Sequence, residues 1–294
     1  MQSTALVPAL ILGALISIVF LAKMLFNPKK WDPRGLKYRQ NSGQIIRSYS
    51  FAVNSEAGSA AAVKAASEAH GGRCPDAFFL CAGASRPQFW VEQTEELIRM
   101  DMDATFGSQA FTALVATKEM VKQGVKGKLV FISSVLGYFS MIGYSTYSPG
   151  KFAIRGLAEA LQSEFKLYDI DVHISLPGTI YSRGLEEENK VKPQVTLKIE
   201  ETDSGSTPEY VAETILKGIQ KGKFHITMDC IGHAFRATSA GSSPRNSYIT
   251  DLVYGLIGYI GLPIWRKSVD ATVVAHREEH YEYLRQKGVI GALQ

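Results

Sequence analysis

From about Ile45 to Met228, short apolar runs alternate with longer stretches of helical spacing. Strands separated by helices can pair in parallel, because each crossover needs a dozen or more residues. The pattern therefore predicts an α/β chain with a mostly parallel, doubly wound sheet. Strands are expected at Ile45–Val53, Ala77–Leu80, Lys128–Ile132, Val172–Leu176 and Phe224–Met228. The Ala77–Leu80 run closes in a glycine turn and suits a buried parallel strand. Helices are expected over Ala57–His70, stopped by Gly71-Gly72, over most of Thr94–Lys122, and over Tyr147–Tyr168. Thr207-Pro208-Glu209 marks another helix start, with Thr as cap, Pro in the first turn and Glu near the positive end. That helix runs to about Lys221.

The ends of the chain differ in character from this middle. Ala5–Phe26 is nearly free of charge and about long enough to cross a ~30 Å hydrocarbon core. A basic cluster starts near its end and follows it: Lys23, then Lys29, Lys30, Arg34, Lys37 and Arg39. The positive-inside tendency then puts the N-terminus in the lumen and the rest in the cytosol. A buried core helix is the bland alternative. Residues 27–44 read as a linker, 45–230 as the sheet domain and 231–294 as a membrane-associated tail. In that tail Ile249–Trp265 is apolar apart from Asp251. It is short for a spanning helix, so it reads as an interfacial segment or as a helix packed on the sheet. Ala275–Lys287 is charged and reads as a solvated helix.

Bulk properties close off other classes. A net charge of +4 in 294 residues gives no case for nucleic acid as a partner. Cys74, Cys81 and Cys230 are odd in number and lack metal spacing, which fits a reducing compartment. His276-Arg277-Glu278-Glu279-His280 spells an inverted zinc-protease pattern, but in a charged terminal helix with no third ligand in view. No metal is expected.

The chemistry concentrates on Tyr147 and Lys151. They lie four apart, on one face of the predicted helix, with Ser133-Ser134 thirteen to fourteen positions upstream at a strand end. An ammonium beside a phenol favours phenolate, so Lys151 is expected to lower the pKa of Tyr147 toward working pH. Ser134 would hydrogen-bond a substrate carbonyl. Such a group of three can deliver a proton to a ketone that is being reduced.

Leu129-Val130-Phe131-Ile132-Ser133-Ser134, Tyr147, Lys151 and the run Phe152–Leu161 together resemble the short-chain dehydrogenase/reductases. Cys81-Ala82-Gly83, Phe89-Trp90, Glu186–Lys190 and Pro244-Arg245-Asn246 are most similar to the branch of that family acting on 3-ketodihydrosphingosine. The resemblance implies a Rossmann-like fold and NADPH-dependent reduction of 3-ketodihydrosphingosine to dihydrosphingosine. It implies catalysis by Ser134, Tyr147 and Lys151, with Tyr147 and Lys151 also touching the cofactor. Pro177, Gly178 and Ser182 match the loop at the nicotinamide end, and Cys81, Ala82 and Gly83 the turn near the adenosine. The implied partners are a long-chain lipid ketone and the endoplasmic reticulum membrane, with the catalytic domain facing the cytosol, and a homo-oligomer is a further possibility.

Several positions depart from the family pattern. Thr105 stands where an Asn is common, Ala52 where an Asp often meets adenine, and Gly150 where Ser or Ala is usual. The G-x-x-x-G-x-G turn that lets backbone approach a pyrophosphate is missing. Gly35 and Gly43 are isolated and Gly71-Gly72 ends a helix. The first two strand–helix units are expected to be deleted, with the junction near Leu36-Lys37. Weak cofactor binding should follow. Two other readings stay open: a reductase of another lipid or steroid ketone, and a membrane-tethered pseudoenzyme acting as a scaffold.

Overall fold

The computed structural model describes residues 47–201 and 203–290. The expected Ala5–Phe26 span, the 27–44 linker and the Leu36-Lys37 junction lie outside the described residues.

A four-stranded parallel sheet organises the domain, in the order β1-β2-β3-β4. The strands are β1 (Ala77–Leu80), β2 (Lys128–Ile132), β3 (Asp171–Ser175) and the short β4 (His225–Ile226). Helices precede, connect and follow them. These are α1 (Glu56–Glu68), α2 (Glu95–Met102), α3 (Ser108–Gln123), α4 (Tyr147–Glu164), α5 (Arg183–Val191), α6 (Gln194–Glu200), α7 (Pro208–Gln220), α8 (Cys230–Thr238), α9 (Tyr248–Ala275) and α10 (Arg277–Gln286). A π-helical turn, Asp103–Gly107, joins α2 to α3. The sequence reading takes Thr94–Lys122 as mostly helical and does not predict α5 or α6.

Alternate residues of β2 serve opposite faces, as the pleat requires. Leu129 and Phe131 pack with Met120, Ile154 and Ile174 in one core, while Val130 packs with Val211, Ile215 and Ile226 in the other. The pairing register sets Phe79 of β1 opposite Val130. Phe79 therefore points to the face that α7 covers farther along the sheet, yet it is 46% exposed. The outer edge of β1 pairs with no described strand.

This edge corrects one expectation. Within Ile45–Val53, the described part from Arg47 on forms no strand, and Tyr49 and Phe51 are exposed. An alternating segment becomes a strand only where a neighbour offers hydrogen-bond partners. Here no described strand lies beside it. The last strand is also shorter than the expected Phe224–Met228, although the Ile226 carbonyl still accepts a bond from Leu176 N.

The tail begins inside the core rather than beside it. Phe235 of α8 stacks on Phe139 at 4.1 Å, and Trp265 of α9 meets Phe139 edge-on at 5.2 Å. A buried ion pair clips α9 to α8: Arg236 Nη1 donates to Asp251 Oδ2 at 2.9 Å. The apolar run Ile249–Trp265 lies within this 28-residue helix. By length and composition α9 is the one helix among the described residues able to cross a membrane. Its outer face carries Tyr248, Leu252, Leu256, Ile260 and Ile264, each at least half exposed and spaced four apart.

Candidate active site

Three elements converge at the end of β2. The chain leaves the strand through Ser133-Ser134 into a tight turn, Val135–Gly137, which Ser134 caps by accepting Leu136 N–H at 3.2 Å. The buried Ser133 hydroxyl donates to the Lys151 carbonyl at 3.0 Å, tying the turn to α4. Gly137 allows this close approach, since a Cβ there would fall 3.0 Å from the same carbonyl. Ser134 is thereby brought beside Tyr147 on the wall of one cleft, where its hydroxyl favours the phenolate.

Lys151 lies one turn farther along α4, with Nζ 5.4 Å from the centre of the Tyr147 ring. It donates to the Ile132 carbonyl at 3.2 Å. Burial lowers its pKa to about 8, opposed by the Cys81 thiol. The phenol does not behave as the sequence reading expects. Its pKa is raised, chiefly by burial and next by the Glu188 carboxylate, while the Ser134 hydroxyl pulls the other way. Lys151 faces the ring at that distance and gives one of its three N–H donors to a carbonyl, and burial of the phenol decides the direction.

A cleft of about 710 Å³ opens in front of these groups. Ser134, Tyr147, Gly83, Gly178 and Ser182 line it, with Leu136, Phe139 and Met141 on an apolar side. Lys151 sits behind Gly83, where an added Cβ would be 3.6 Å from Nζ. Ser182 caps α5 through Leu185 N–H at 3.3 Å, and buried Pro177 accepts Val135 N–H at 2.9 Å. Cys81 and Ala82 are exposed beside the cleft, and the Ala82 carbonyl accepts from Ser108 Oγ at 3.1 Å. Of the expected site residues, Gly83, Ser134, Tyr147, Gly178 and Ser182 line the cleft, while Lys151, Pro177, Cys81 and Ala82 lie behind or beside it.

Other residues hold the site and were not singled out in the sequence. Gln109, almost fully buried, donates from Nε2 to the Ile132 carbonyl at 2.7 Å and accepts Ile132 N–H at Oε1. Its Nε2 also reaches Ala82 O at 3.3 Å, which couples the Cys81–Gly83 turn to β2. Across the cleft the Tyr144 hydroxyl lies 2.7 Å from Glu188 Oε1 and 2.8 Å from Glu200 Oε1. Buried Lys192 bridges both carboxylates, at 3.1 and 2.6 Å. The only available signal was the charged run Glu186–Lys190, which marks α5 but not its partners. His276 and His280 form no metal cluster among the described residues; His276 pairs with Glu279 and His280 lies against Phe89.

A nicotinamide dinucleotide finds half of its cradle. At Gly178 an added Cβ would meet nothing nearer than 3.9 Å, so backbone there is open to a flat ring beside Ser134 and Tyr147. The pyrophosphate end has no such place among the described residues. The first described helix, α1, is already capped by the Ser55 hydroxyl on Gly58 N–H.

A parallel sheet with a Ser–Tyr–Lys constellation at its carboxyl end marks an oxidoreductase of the short-chain type. The chain belongs to the short-chain dehydrogenase family, whose model it matches over residues 33–192. It is 40% identical to the 3-ketodihydrosphingosine reductase of Cryptococcus neoformans over 246 residues, 84% of this chain and 73% of that protein. It is 36% identical to the 3-dehydrosphinganine reductase of Danio rerio over 187 residues, 63% of this chain and 54% of that one. Among solved structures, a short chain dehydrogenase/reductase from Burkholderia phymatum in complex with NAD matches at a TM-score of 0.57 and 19% identity. That match covers 65% of this chain and 73% of the other, and it shows the shared fold.

Proposed function

We propose that this chain is a reductase of 3-ketodihydrosphingosine that uses a nicotinamide cofactor, NADPH by family resemblance, and holds it weakly. The meeting of Ser134, Tyr147 and Lys151 at one cleft carries the proposal. The names of its relatives supply the substrate. Lys151, Gly178 and Ser182 would hold the nicotinamide end, and a bound nicotinamide supplies the hydride. Ser134 orients the ketone oxygen. Tyr147 keeps its proton at neutral pH because burial disfavours the phenolate, and it releases that proton to the oxygen as alkoxide character develops. Lys151 stands behind the ring as the positive charge that steadies the phenolate left behind. The apolar side at Leu136, Phe139 and Met141 suits an alkyl chain, and the exposed stripe of α9 suits a bilayer from which such a chain arrives. The membrane is then that of the endoplasmic reticulum, with this domain in the cytosol.

The missing glycine turn argues for weak cofactor binding. A titration of the purified chain with NADPH tests this: saturation in the micromolar range would defeat it. Turnover of 3-ketodihydrosphingosine at about 1 mM NADPH, the upper end of ordinary KM values, tests the reductase itself. A steroid ketone reduced in preference would move the substrate class. The edge of β1, which no described strand pairs, and the exposed Phe79 favour a second reading, a membrane-tethered non-catalytic protein. No turnover at any NADPH concentration, with the fold intact, would select it.

A further inference from the structure

We infer that Glu188 recognises the ammonium group of an α-amino ketone, so that this cleft selects aminated long-chain ketones over plain ones. The inference deepens the reductase reading and rests on it for the place of the ketone.

Four carboxyl groups, Glu187, Glu188, Glu200 and Asp203, line the cleft against two cations, Arg86 and Lys192. Most of these charges are spoken for. Glu187 pairs with Lys190 on the surface of α5, at 2.6 Å. Lys192 is shared between Glu188 and Glu200, and its side chain is 1% exposed, so no solvent cation replaces it. The Tyr144 hydroxyl faces both carboxylates but has one proton, which serves one of them at a time. One ammonium and one phenolic proton therefore stand against two carboxylates, leaving about one unit of negative charge. Both contacts to Glu188 fall on Oε1, and Oε2 accepts no hydrogen bond among the described residues. This oxygen belongs to a side chain only 17% exposed.

The position of this charge gives it a purpose. Tyr144 and Tyr147 have ring centres 5.8 Å apart, and Glu188 is close enough to hold up the phenol of Tyr147. Without a ligand on Oε2, the carboxylate opposes the phenolate that proton delivery must leave. An ammonium one carbon from the ketone would neutralise it at the moment the ketone meets Tyr147. The named substrate of the relatives is such an amino ketone, with a neighbouring primary alcohol. The Ser85 hydroxyl, buried on the same cleft without a partner among the described residues, is a group for that alcohol.

Calorimetry on the full chain in detergent tests the inference with three short ligands of equal length: an aminodiol, its N-acetyl derivative, and the diol without nitrogen. The aminodiol should bind about tenfold more tightly than either uncharged ligand, as a charged hydrogen bond warrants. Glu188→Gln should remove that advantage and leave the uncharged ligands within about twofold. Equal affinities of the three for the unaltered chain would overturn the assignment even if the variant does not fold. Parallel loss of all three in the variant would reduce Glu188 to a structural role and overturn it too. Turnover of the matching ketones with NADPH separates the two claims. Discrimination without turnover keeps Glu188 and sinks the reductase; turnover of amino and plain ketones with equal kcat/KM does the reverse.

Discussion

The Thr105 hydroxyl occupies the space that a side chain at position 150 would need: a Cβ there would lie 1.9 Å from Thr105 Oγ1. The two departures from the family pattern, one on the π-helical turn and one inside the Tyr147–Lys151 motif, are thus a single packing solution. Thr105 is fully buried and turns its hydroxyl to the Asp101 carbonyl at 2.6 Å. It does not reach Lys151. Helices that touch this closely fix the height of α4, and with it the place of the phenol.

Gly150→Ala should therefore destabilise the chain by about 2 kcal/mol, as overpacking does. Thr105→Ala combined with Gly150→Ala should recover most of that loss. A double-mutant cycle by urea unfolding should give a coupling of about 1–3 kcal/mol. Additive effects would mean that the contact is not shared.

Lys151 is held against its own stability. Its pKa falls from an ordinary 10.5 to about 8. Between those values the unfolded chain binds more protons than the folded one, so stability rises with pH across the window, and the penalty is full below it. Two and a half pKa units correspond to about 3 kcal/mol. Lys151→Met should raise Tm at pH 7, and the gain should vanish by about pH 10.5. Turnover should be lost in the same variant. An unchanged gain across pH would show packing, not charge, at work.

Tyr147→Phe removes the proton donor and little else. Turnover of the ketone should fall by about 10²–10⁴-fold, the usual worth of a positioned acid. Calorimetric binding of the aminodiol should stay close to that of the unaltered chain. A variant that keeps a tenth of its activity would place the donor elsewhere.

The Arg236–Asp251 pair is nearly inaccessible, with both side chains 2% exposed. Asp251→Ala leaves a buried guanidinium uncompensated and should cost about 3–5 kcal/mol. The first sign should be proteolysis within α9, before the sheet unfolds. Replacing both partners with apolar residues of similar volume should restore much of the loss.

Local signals were readable and distant ones were not. The Tyr147–Lys151 spacing, the Thr207 cap and the β2 run are each decided by neighbours in sequence. Thr207 does accept Tyr210 N–H at 3.3 Å, and β2 spans Lys128–Ile132. The bond from Tyr144 to Glu188 joins residues 44 apart, on elements whose own patterns carry no trace of each other. Arg47–Val53 departs from its pattern for the same reason: its alternation is real, but a strand needs a partner that its own residues cannot supply. The pKa of Tyr147 is not legible in the same way, because spacing shows which cation is near and neither the protein packed around the phenol nor the distant Glu188.

The outer rim of β1 has a consequence for handling the molecule. Backbone donors and acceptors that no described segment takes up, beside a half-bare phenylalanine, form a template for another copy. Crowding rather than heat should then decide how long a solution of this chain stays clear, and a fresh dilute sample should outlast a concentrated one kept colder.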